Sequence, residues 1–343
     1  MFKNVQITPY YRKLLDELGL NHPLRRSVEI LDDCTPMSGE LADPLGEEAH
    51  SPVPGLVHTY PDKALLFATL SCAVYCRYCT RGRLVGKTHP RLAPLADPSA
   101  GGDSRKPSPA EGCPSGQGRL VSNEVFQYLE QHAEIRDVLV SGGDPLTLPD
   151  AELDGLLSKL RKIGHIRTLR LGSKVPAVFP SRITPELAEI LAKHRVWLQL
   201  HFIHPAELTA EMTRACDTLA GAGVPMVSQT VLLKGINDNA DTLAELFYGL
   251  LERRVKPYYL FQCDPVHGSS SFRTPVEKGL QIIRELQGRV SGLALPTFAI
   301  DAPGGGGKIS LLSNSQFRRD GKEIVLTNYE GKEYRYPDHE MVT

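Results

Sequence analysis

The chain has 343 residues, of which 41% are apolar, and its formal net charge at pH 7 is −1. This length can bury the core of one barrel-sized domain, whereas the near-neutral charge excludes the basic surface with which proteins usually bind nucleic acid. The N-terminal residues lack the apolar core of a signal peptide and no apolar stretch could cross a bilayer, so we expect a cytoplasmic protein with neither nucleic-acid nor membrane partners.

Three regions follow one another along the chain. Residues 1–57 are predicted to be a helical cap and entry segment, because residues 10–20 have the apolar spacing of an amphipathic helix. Residues 58–310 form the predicted main domain, and residues 311–343 a short β-rich C-terminal tail. Within the main domain, half of residues 89–118 are Pro, Gly or Ser, and none is aromatic or β-branched, which predicts a mobile insertion.

Strand-like apolar runs alternate with helical patterns through the main domain. Regular β–α alternation produces a parallel sheet, and six such units predict an α/β fold, an incomplete parallel (β/α)6 barrel. The predicted strands cover residues 65–69, 137–141, 167–171, 197–202, 225–231 and 257–262, with a further candidate at 295–300. The predicted helices cover residues 151–162, 185–193, 206–220, 242–254 and 275–287. Weak strand candidates in the tail cover residues 323–327 and 333–336.

Three cysteines follow the first predicted strand with the spacing C-x3-C-x2-C: Cys72, Cys76 and Cys79. Three thiolates in one short loop can bind three irons of a [4Fe–4S] cluster and leave the fourth iron open to a small molecule. The spacing is similar to that of the cluster loop in radical S-adenosylmethionine (SAM) enzymes. A zinc site, the main alternative, would usually need a fourth Cys or His, and the remaining cysteines are dispersed.

A glycine-rich turn, Gly142-Gly143-Asp144, follows the second predicted strand. Glycines let the backbone approach a ligand closely, and the acidic residue offers an anionic partner. Such a turn is usually only a turn, but one β–α unit after a cluster loop it resembles the motif that receives the amino group of SAM. Further polar residues lie late in the next strands or just after them, at the barrel edge where active sites form: Lys174, His201, Gln229 and Asp264.

Lys308 follows four successive glycines. A phosphate-binding loop is excluded, because Ala302 stands where a glycine is required and Ile309 where Ser or Thr is required. A lysine at a glycine-lined site can instead bind pyridoxal 5′-phosphate (PLP) covalently, and a surface lysine after a flexible turn is the simpler alternative. Asp264 and Asp301, at the ends of two predicted strands, would either hold a cationic group together or act only as caps.

These residues together resemble the lysine 2,3-aminomutase family of PLP-dependent radical SAM enzymes, over most of the chain from about residue 43 to residue 330. The segment from Asp301 to Lys308 separates this family from most other radical SAM enzymes. Thr59 and Lys63 depart from the family, which often has arginines there near the PLP phosphate. The other matching segments are DPL at 43–45, SPVPGL at 51–56, YPD at 60–62, the cysteine loop through Arg81, SGGD at 141–144, HFIHP at 201–205, QTVLLKG at 229–235 and FRTP at 272–275.

The resemblance implies a role for each matching residue. Cys72, Cys76 and Cys79 would bind the [4Fe–4S] cluster. Lys308 would bind PLP covalently, with Tyr60 and Lys63 near its ring and phosphate. The implied SAM-binding positions are Gly142, Gly143, Asp144, His201 and Gln229. The implied substrate-binding positions are Arg81 for the α-carboxylate, and Asp264 and Asp301 for a distal ammonium.

The implied enzyme is an isomerase, a radical SAM and PLP-dependent amino-acid 2,3-aminomutase. It would convert L-lysine to β-lysine by 1,2-amino migration, through a 5′-deoxyadenosyl radical, with an electron donor such as flavodoxin or ferredoxin. The aspartate pair disfavours glutamate, because like charges repel in a partly dry site. Arginine or another amino acid, a role in supplying β-lysine for translation-factor modification, and a non-catalytic Fe–S and PLP-binding protein remain alternatives. A homo-oligomer is also left open.

Overall fold

The computed structural model describes residues 5–29, 39–86, 121–311, 317–321, 323–328 and 330–337. Nine strands of the main domain form one sheet in sequence order. The strands are β1 (Leu56–Tyr60), β2 (Lys63–Thr69), β3 (Asp137–Gly142), β4 (Thr168–Ser173), β5 (Val196–His201), β6 (Met226–Leu232), β7 (Val255–Gln262), β8 (Thr297–Ala302) and β9 (Gly307–Ser310). Strands β2 to β8 are parallel, and β1 and β9 pair antiparallel at the two edges.

Helices connect the parallel strands, as β–α alternation requires. They are α2 (Asn123–Gln131), α3 (Asp150–Lys162), α4 (Val175–Val178), α5 (Pro185–Lys193), α6 (Ala210–Gly221), α7 (Ala240–Glu252) and α8 (Val276–Leu286). Side chains alternate between the two faces of each strand. In β4, Leu169 and Leu171 are fully buried in the hydrophobic core, whereas Arg170 and Gly172 line an internal cavity. The inner face of the barrel is therefore free to carry polar chemistry.

The predicted incomplete parallel barrel is confirmed, with seven parallel strands rather than six. The additional strand is β8, which includes most of the apolar run noted at 295–300. The helix predicted at 206–220 is instead a 3-10 turn at Pro205–Glu207 followed by α6. The helix begins at Ala210 because the Thr209 side chain accepts a hydrogen bond from the backbone N–H of Met212 (3.1 Å) and caps it.

The N-terminal region packs against the cysteine loop. The predicted helix at 10–20 is α1 (Pro9–Leu18), and a 3-10 helix at Pro23–Ser27 follows it. On either side of Cys76, the N–H of Tyr75 donates to the carbonyl of Gln6 (3.0 Å) and the N–H of Arg77 to that of Ser27 (2.8 Å). This region therefore fixes the backbone of the loop, although residues 39–55 contain less helix than the predicted cap.

The tail forms a separate antiparallel sheet of β10 (Phe317–Asp320), β11 (Glu323–Thr327) and β12 (Glu333–Pro337). Both predicted tail strands are thus confirmed, and β10 was not predicted. The insertion predicted at 89–118 lies outside the described residues. Among the helices that the structure describes, none has the length and apolar character needed to cross a membrane.

Candidate active site

One cavity of about 1100 Å³ extends through the barrel interior. Its wall combines loops at the carboxyl ends of the strands with inward-facing residues of the strands themselves, which is where parallel barrels place their active sites. All of the predicted site residues line it: Tyr60, Lys63, Cys72, Cys76, Cys79, Arg81, Gly142, Gly143, Asp144, His201, Gln229, Asp264, Asp301 and Lys308. Lys308 therefore shares a cavity with the cysteine loop.

The three cysteines of the loop are free thiols. Burial raises the pKa of each thiol, to about 11 for Cys79, and the neighbouring thiolates raise the pKa of Cys72 and Cys79 further. In the described part of the chain, no three His, Cys, Asp or Glu side chains converge as a single metal ion would require. The ligands of a four-iron cluster each bind a different iron, so three separate thiols from one loop fit such a cluster.

The glycine turn packs directly against the start of the cysteine loop. The N–H of Gly143 donates to the carbonyl of Thr69 (2.6 Å), and the N–H of Asp144 donates to that of Ser71 (2.7 Å). A Cβ atom on Gly142 would lie 2.2 Å from the Thr69 oxygen, and one on Gly143 would lie 2.1 Å from the Ser71 oxygen. Both positions therefore require glycine because two backbones meet there, a reason that sequence analysis did not identify.

The Asp144 carboxylate is occupied by donors of the protein. It accepts hydrogen bonds from Leu146 N (3.1 Å), Ser173 Oγ (3.0 Å) and Lys174 N (2.7 Å). These bonds offset the burial that raises its pKa. The sequence predicts this carboxylate as an anionic partner for a ligand, and in the structure it also ties the turn after β3 to the end of β4.

His201 and its neighbours form a buried network beside the cysteine loop. The Tyr78 hydroxyl lies 2.7 Å from His201 Nε2. Burial and then the charge of Lys174 lower the pKa of His201 to about 3, so the ring is neutral. Lys174 Nζ donates to Glu207 Oε1 (2.6 Å), which also accepts from the Tyr11 hydroxyl (2.9 Å). Glu207 was missed because its partners lie 33 and 196 positions away in sequence.

Lys308 lies on β9, the last strand of the sheet. Its backbone N–H donates to the Tyr60 hydroxyl (2.6 Å), which joins β9 to β1 across the open seam. Its amine donates to Asp301 Oδ1 (2.7 Å) and lies 4.0 Å from the centre of the Phe261 ring. Lys63 pairs with Asp62 (2.6 Å) and lies 4.7 Å from the centre of the Tyr60 ring.

Asp264 and Arg81 provide opposite charges to the cavity. Burial, and then the negative charge of Asp301, raise the pKa of Asp264 to about 7. Arg81 donates from Nε to Glu47 Oε1 (2.8 Å) and from Nη1 to Ser141 Oγ (3.1 Å). Glu47 is a further residue that sequence analysis missed, although it lies two positions after the DPL segment at 43–45.

A parallel α/β barrel with a three-cysteine loop after its first parallel strand is the architecture of a radical SAM enzyme. The family model for lysine-2,3-aminomutase matches residues 283–343. The L-lysine 2,3-aminomutase of Clostridium subterminale is 43% identical over 327 residues, which cover 95% of this chain and 73% of that protein.

The chain is also similar to two other proteins. The glutamate 2,3-aminomutase of Clostridioides difficile is 37% identical over 342 residues, which cover 98% of this chain and 74% of that protein. Among solved structures, a radical SAM methyltransferase from Sphaerobacter thermophilus has a TM-score of 0.46 and 16% identity, covering 71% of this chain and 68% of that one.

The chain belongs to the L-lysine 2,3-aminomutase family. It is therefore an amino-acid 2,3-aminomutase, an isomerase of the radical SAM class. Its cofactors include a [4Fe–4S] cluster and SAM, and the cysteine loop on the cavity wall fits the cluster.

Proposed function

We propose that this aminomutase uses PLP bound covalently at Lys308 and converts L-lysine to β-lysine. The observation that carries the proposal is the position of the Lys308 amine, which lies on the wall of the cavity that also contains the cysteine loop. The amine already contacts a carboxylate and an aromatic ring, and its backbone is fixed by Tyr60. Such a fixed, partly buried amine is suited to covalent attachment of an aldehyde.

The surroundings of Lys308 fit PLP in shape and charge. The aromatic rings of Tyr60, Tyr259 and Phe261 line the cavity near the amine and would pack against a flat pyridine ring. Lys63 and Arg170 also line the cavity and supply positive charge for a phosphate. When bound, PLP supplies a carbon to which the substrate amino group attaches and a conjugated ring that delocalises unpaired electron density.

The residues proposed for the other cofactors lie at the cysteine end of the cavity. Cys72, Cys76 and Cys79 would hold the cluster, which when reduced supplies the electron that cleaves SAM. Gly142, Gly143, Asp144, His201 and Gln229 are the proposed SAM-binding residues. Enclosure of these groups in one cavity keeps water away from a reactive radical and holds the substrate carbon close to it.

The two ends of the cavity select the substrate by charge. We propose that Arg81 binds the α-carboxylate and that Asp264 and Asp301 bind the distal ammonium of lysine. A glutamate side chain would instead meet two carboxylates, a repulsion of roughly several kcal/mol in a partly desolvated site. Because the family includes relatives named for lysine and for glutamate, this charge argument, rather than family membership, supports lysine.

A substrate panel tests this proposal. Protein reconstituted anaerobically with iron, sulfide, PLP and SAM, and then reduced, is offered L-lysine, L-arginine or L-glutamate, and products are separated by mass spectrometry. We expect β-lysine as the main product. Reactions without SAM serve as the blank. Formation of β-glutamate alone would show the charge argument to be wrong. Absence of any product, with the cluster, PLP and SAM all bound, would favour a non-catalytic binding protein.

The raised pKa of Asp264 predicts a pH dependence of lysine binding. Asp264 is neutral below pH 7 and becomes a carboxylate above it, because its pKa is about 7. The ammonium of lysine prefers the carboxylate, so KM for lysine should fall as pH rises through 7 and then level off. At pH 6 only about a tenth of Asp264 is ionised, so KM should be up to about tenfold above its plateau. The same inflection in Asp264→Asn would contradict this assignment.

Three finer expectations accompany the proposal. The cluster needs a one-electron donor, for which we propose a flavodoxin or a ferredoxin. We also propose a cytoplasmic location, because a reducing compartment preserves free thiols and an oxygen-sensitive cluster. Size-exclusion chromatography of the loaded protein would establish whether a homo-oligomer forms.

A further inference from the structure

A buried carboxylate, Glu47, contacts Arg81 on the cavity wall. Its side chain is 5% exposed and contacts two arginines. Glu47 Oε1 accepts from Nε of Arg81 (2.8 Å) and lies 2.8 Å from Nη2 of the same guanidinium, and Oε2 accepts from Nη2 of Arg83 (3.2 Å). The negative charge of this one carboxylate therefore lies between two guanidinium groups that would otherwise repel each other.

These contacts determine which edge of the Arg81 guanidinium remains for a ligand. A guanidinium has two edges that can bind a carboxylate, one formed by Nε and one Nη and the other by the two Nη atoms. Glu47 occupies the Nε–Nη2 edge. Nη1 donates to Ser141 Oγ (3.1 Å), and Cζ of Arg81 lies 5.3 Å from the centre of the Phe67 ring. The Nη1–Nη2 edge is the one that Glu47 leaves for a second carboxylate.

Glu47 also lies on a segment that contacts the loops near Lys308 and Asp264. The segment from residue 40 to residue 50, here called the strap, runs past three site loops. The carbonyl of Pro44 accepts from the N–H of Gly304 (2.9 Å), four positions before Lys308. The N–H of Leu41 donates to the carbonyl of Pro265 (2.7 Å), next to Asp264. The strap therefore connects Arg81 to the loops that lie beside Lys308, Asp264 and Asp301.

We propose that Glu47 is a positioning residue for the substrate, which fixes Arg81 so that its Nη1–Nη2 edge receives the α-carboxylate. This inference rests on the proposed function, in which Arg81 binds that carboxylate. In this proposal Glu47 lines the cavity but acts on the substrate only through Arg81. Its removal should weaken recognition of the carboxylate while leaving the cluster, PLP and the distal ammonium site in place.

The test compares Glu47→Gln with Glu48→Gln. Glu48 is the matched control, because it is the next residue, is 59% exposed and pairs only with Arg83 among the described residues. Binding of lysine and of cadaverine, which is lysine without its carboxylate, is measured from the change in the PLP absorption spectrum without SAM. We expect Glu47→Gln to weaken lysine binding about 10- to 100-fold, the cost of a lost charged hydrogen bond, and to leave cadaverine binding unchanged.

Several outcomes would overturn the proposal. Equal weakening of lysine and cadaverine, or an equal effect of Glu48→Gln, would show a general structural role. If Glu47→Gln loads its cofactors poorly, Glu47→Asp retains the charge with a shorter reach and should show the same selective loss to a smaller extent. An unaltered preference for lysine over cadaverine in the better-folded variant would overturn the proposal. Failure of the proposed function is distinguishable, because the unaltered protein would then form no β-lysine.

Discussion

Replacing Gly143 with alanine should abolish assembly of the cluster. The new Cβ would lie 2.1 Å from the Ser71 carbonyl oxygen, 2.7 Å from the Ser71 carbonyl carbon and 2.8 Å from that of Leu70. These neighbours are backbone atoms at the start of the cysteine loop, so they cannot move aside without displacing Cys72. We expect a loss of stability on the order of 3 kcal/mol, and iron content and the cluster absorbance should fall to background after reconstitution.

Gly172→Ala is the matched control for Gly143→Ala. Gly172 also lines the cavity near the carboxyl end of its strand, but its nearest neighbour to a new Cβ is Ser141 Oγ at 3.7 Å, an ordinary contact. This variant should bind iron as the unaltered protein does. A Gly143→Ala protein that retained a full cluster would show that the contact between the turn and the loop is not needed to hold the cysteines.

Replacing Lys308 with alanine should remove both covalent PLP binding and isomerisation. Loss of a covalent anchor and its matched geometry typically lowers turnover by on the order of 10⁴-fold or more. The Tyr60 contact uses the backbone N–H of residue 308, so β9 should remain paired to the seam. Borohydride treatment of the loaded protein followed by peptide mass spectrometry should locate PLP on Lys308 in the unaltered chain and nowhere in the variant.

Lys308→Arg separates the covalent role from the charge. An arginine keeps a cation beside Asp301 but cannot form the covalent link. We expect Lys308→Arg to be as inactive as Lys308→Ala, with the cluster and SAM binding retained in both. Substantial turnover in either variant, or capture of PLP at another lysine, would mean that Lys308 is not the PLP lysine.

The architecture followed from local sequence signals. Buried parallel strands such as β2 and β3 contain short apolar runs followed by turn or polar residues, and this pattern is independent of distant contacts. The cysteine loop and Lys308 were recognised because their spacing is itself the chemical signal. Their placement on one cavity wall agrees with the expectation that strand ends converge. Their individual roles remain predictions.

The features that were missed depend on contacts between distant segments. Glu47 meets Arg81 34 positions later, and Glu207 meets Tyr11 across 196 positions. The glycines of the turn were interpreted as making room for a ligand, and the second reason for Gly143, its close approach to the backbone of Ser71, was missed. The start of α6 was misplaced because the capping Thr209 overrides an apolar pattern that begins earlier. Local periodicity contains no information about such pairings.

The central claim is that one cavity holds both the cluster and a covalently bound PLP. The most direct test of this claim is to follow the α-nitrogen of lysine through the reaction. L-Lysine labelled with ¹⁵N at the α-amino group is incubated with the anaerobic, reduced holoprotein and SAM. We predict β-lysine that carries the label at C3, with no exchange into added unlabelled ammonia. Cleavage of SAM to 5′-deoxyadenosine without any labelled β-lysine, although the cluster and PLP are fully bound, would contradict this account.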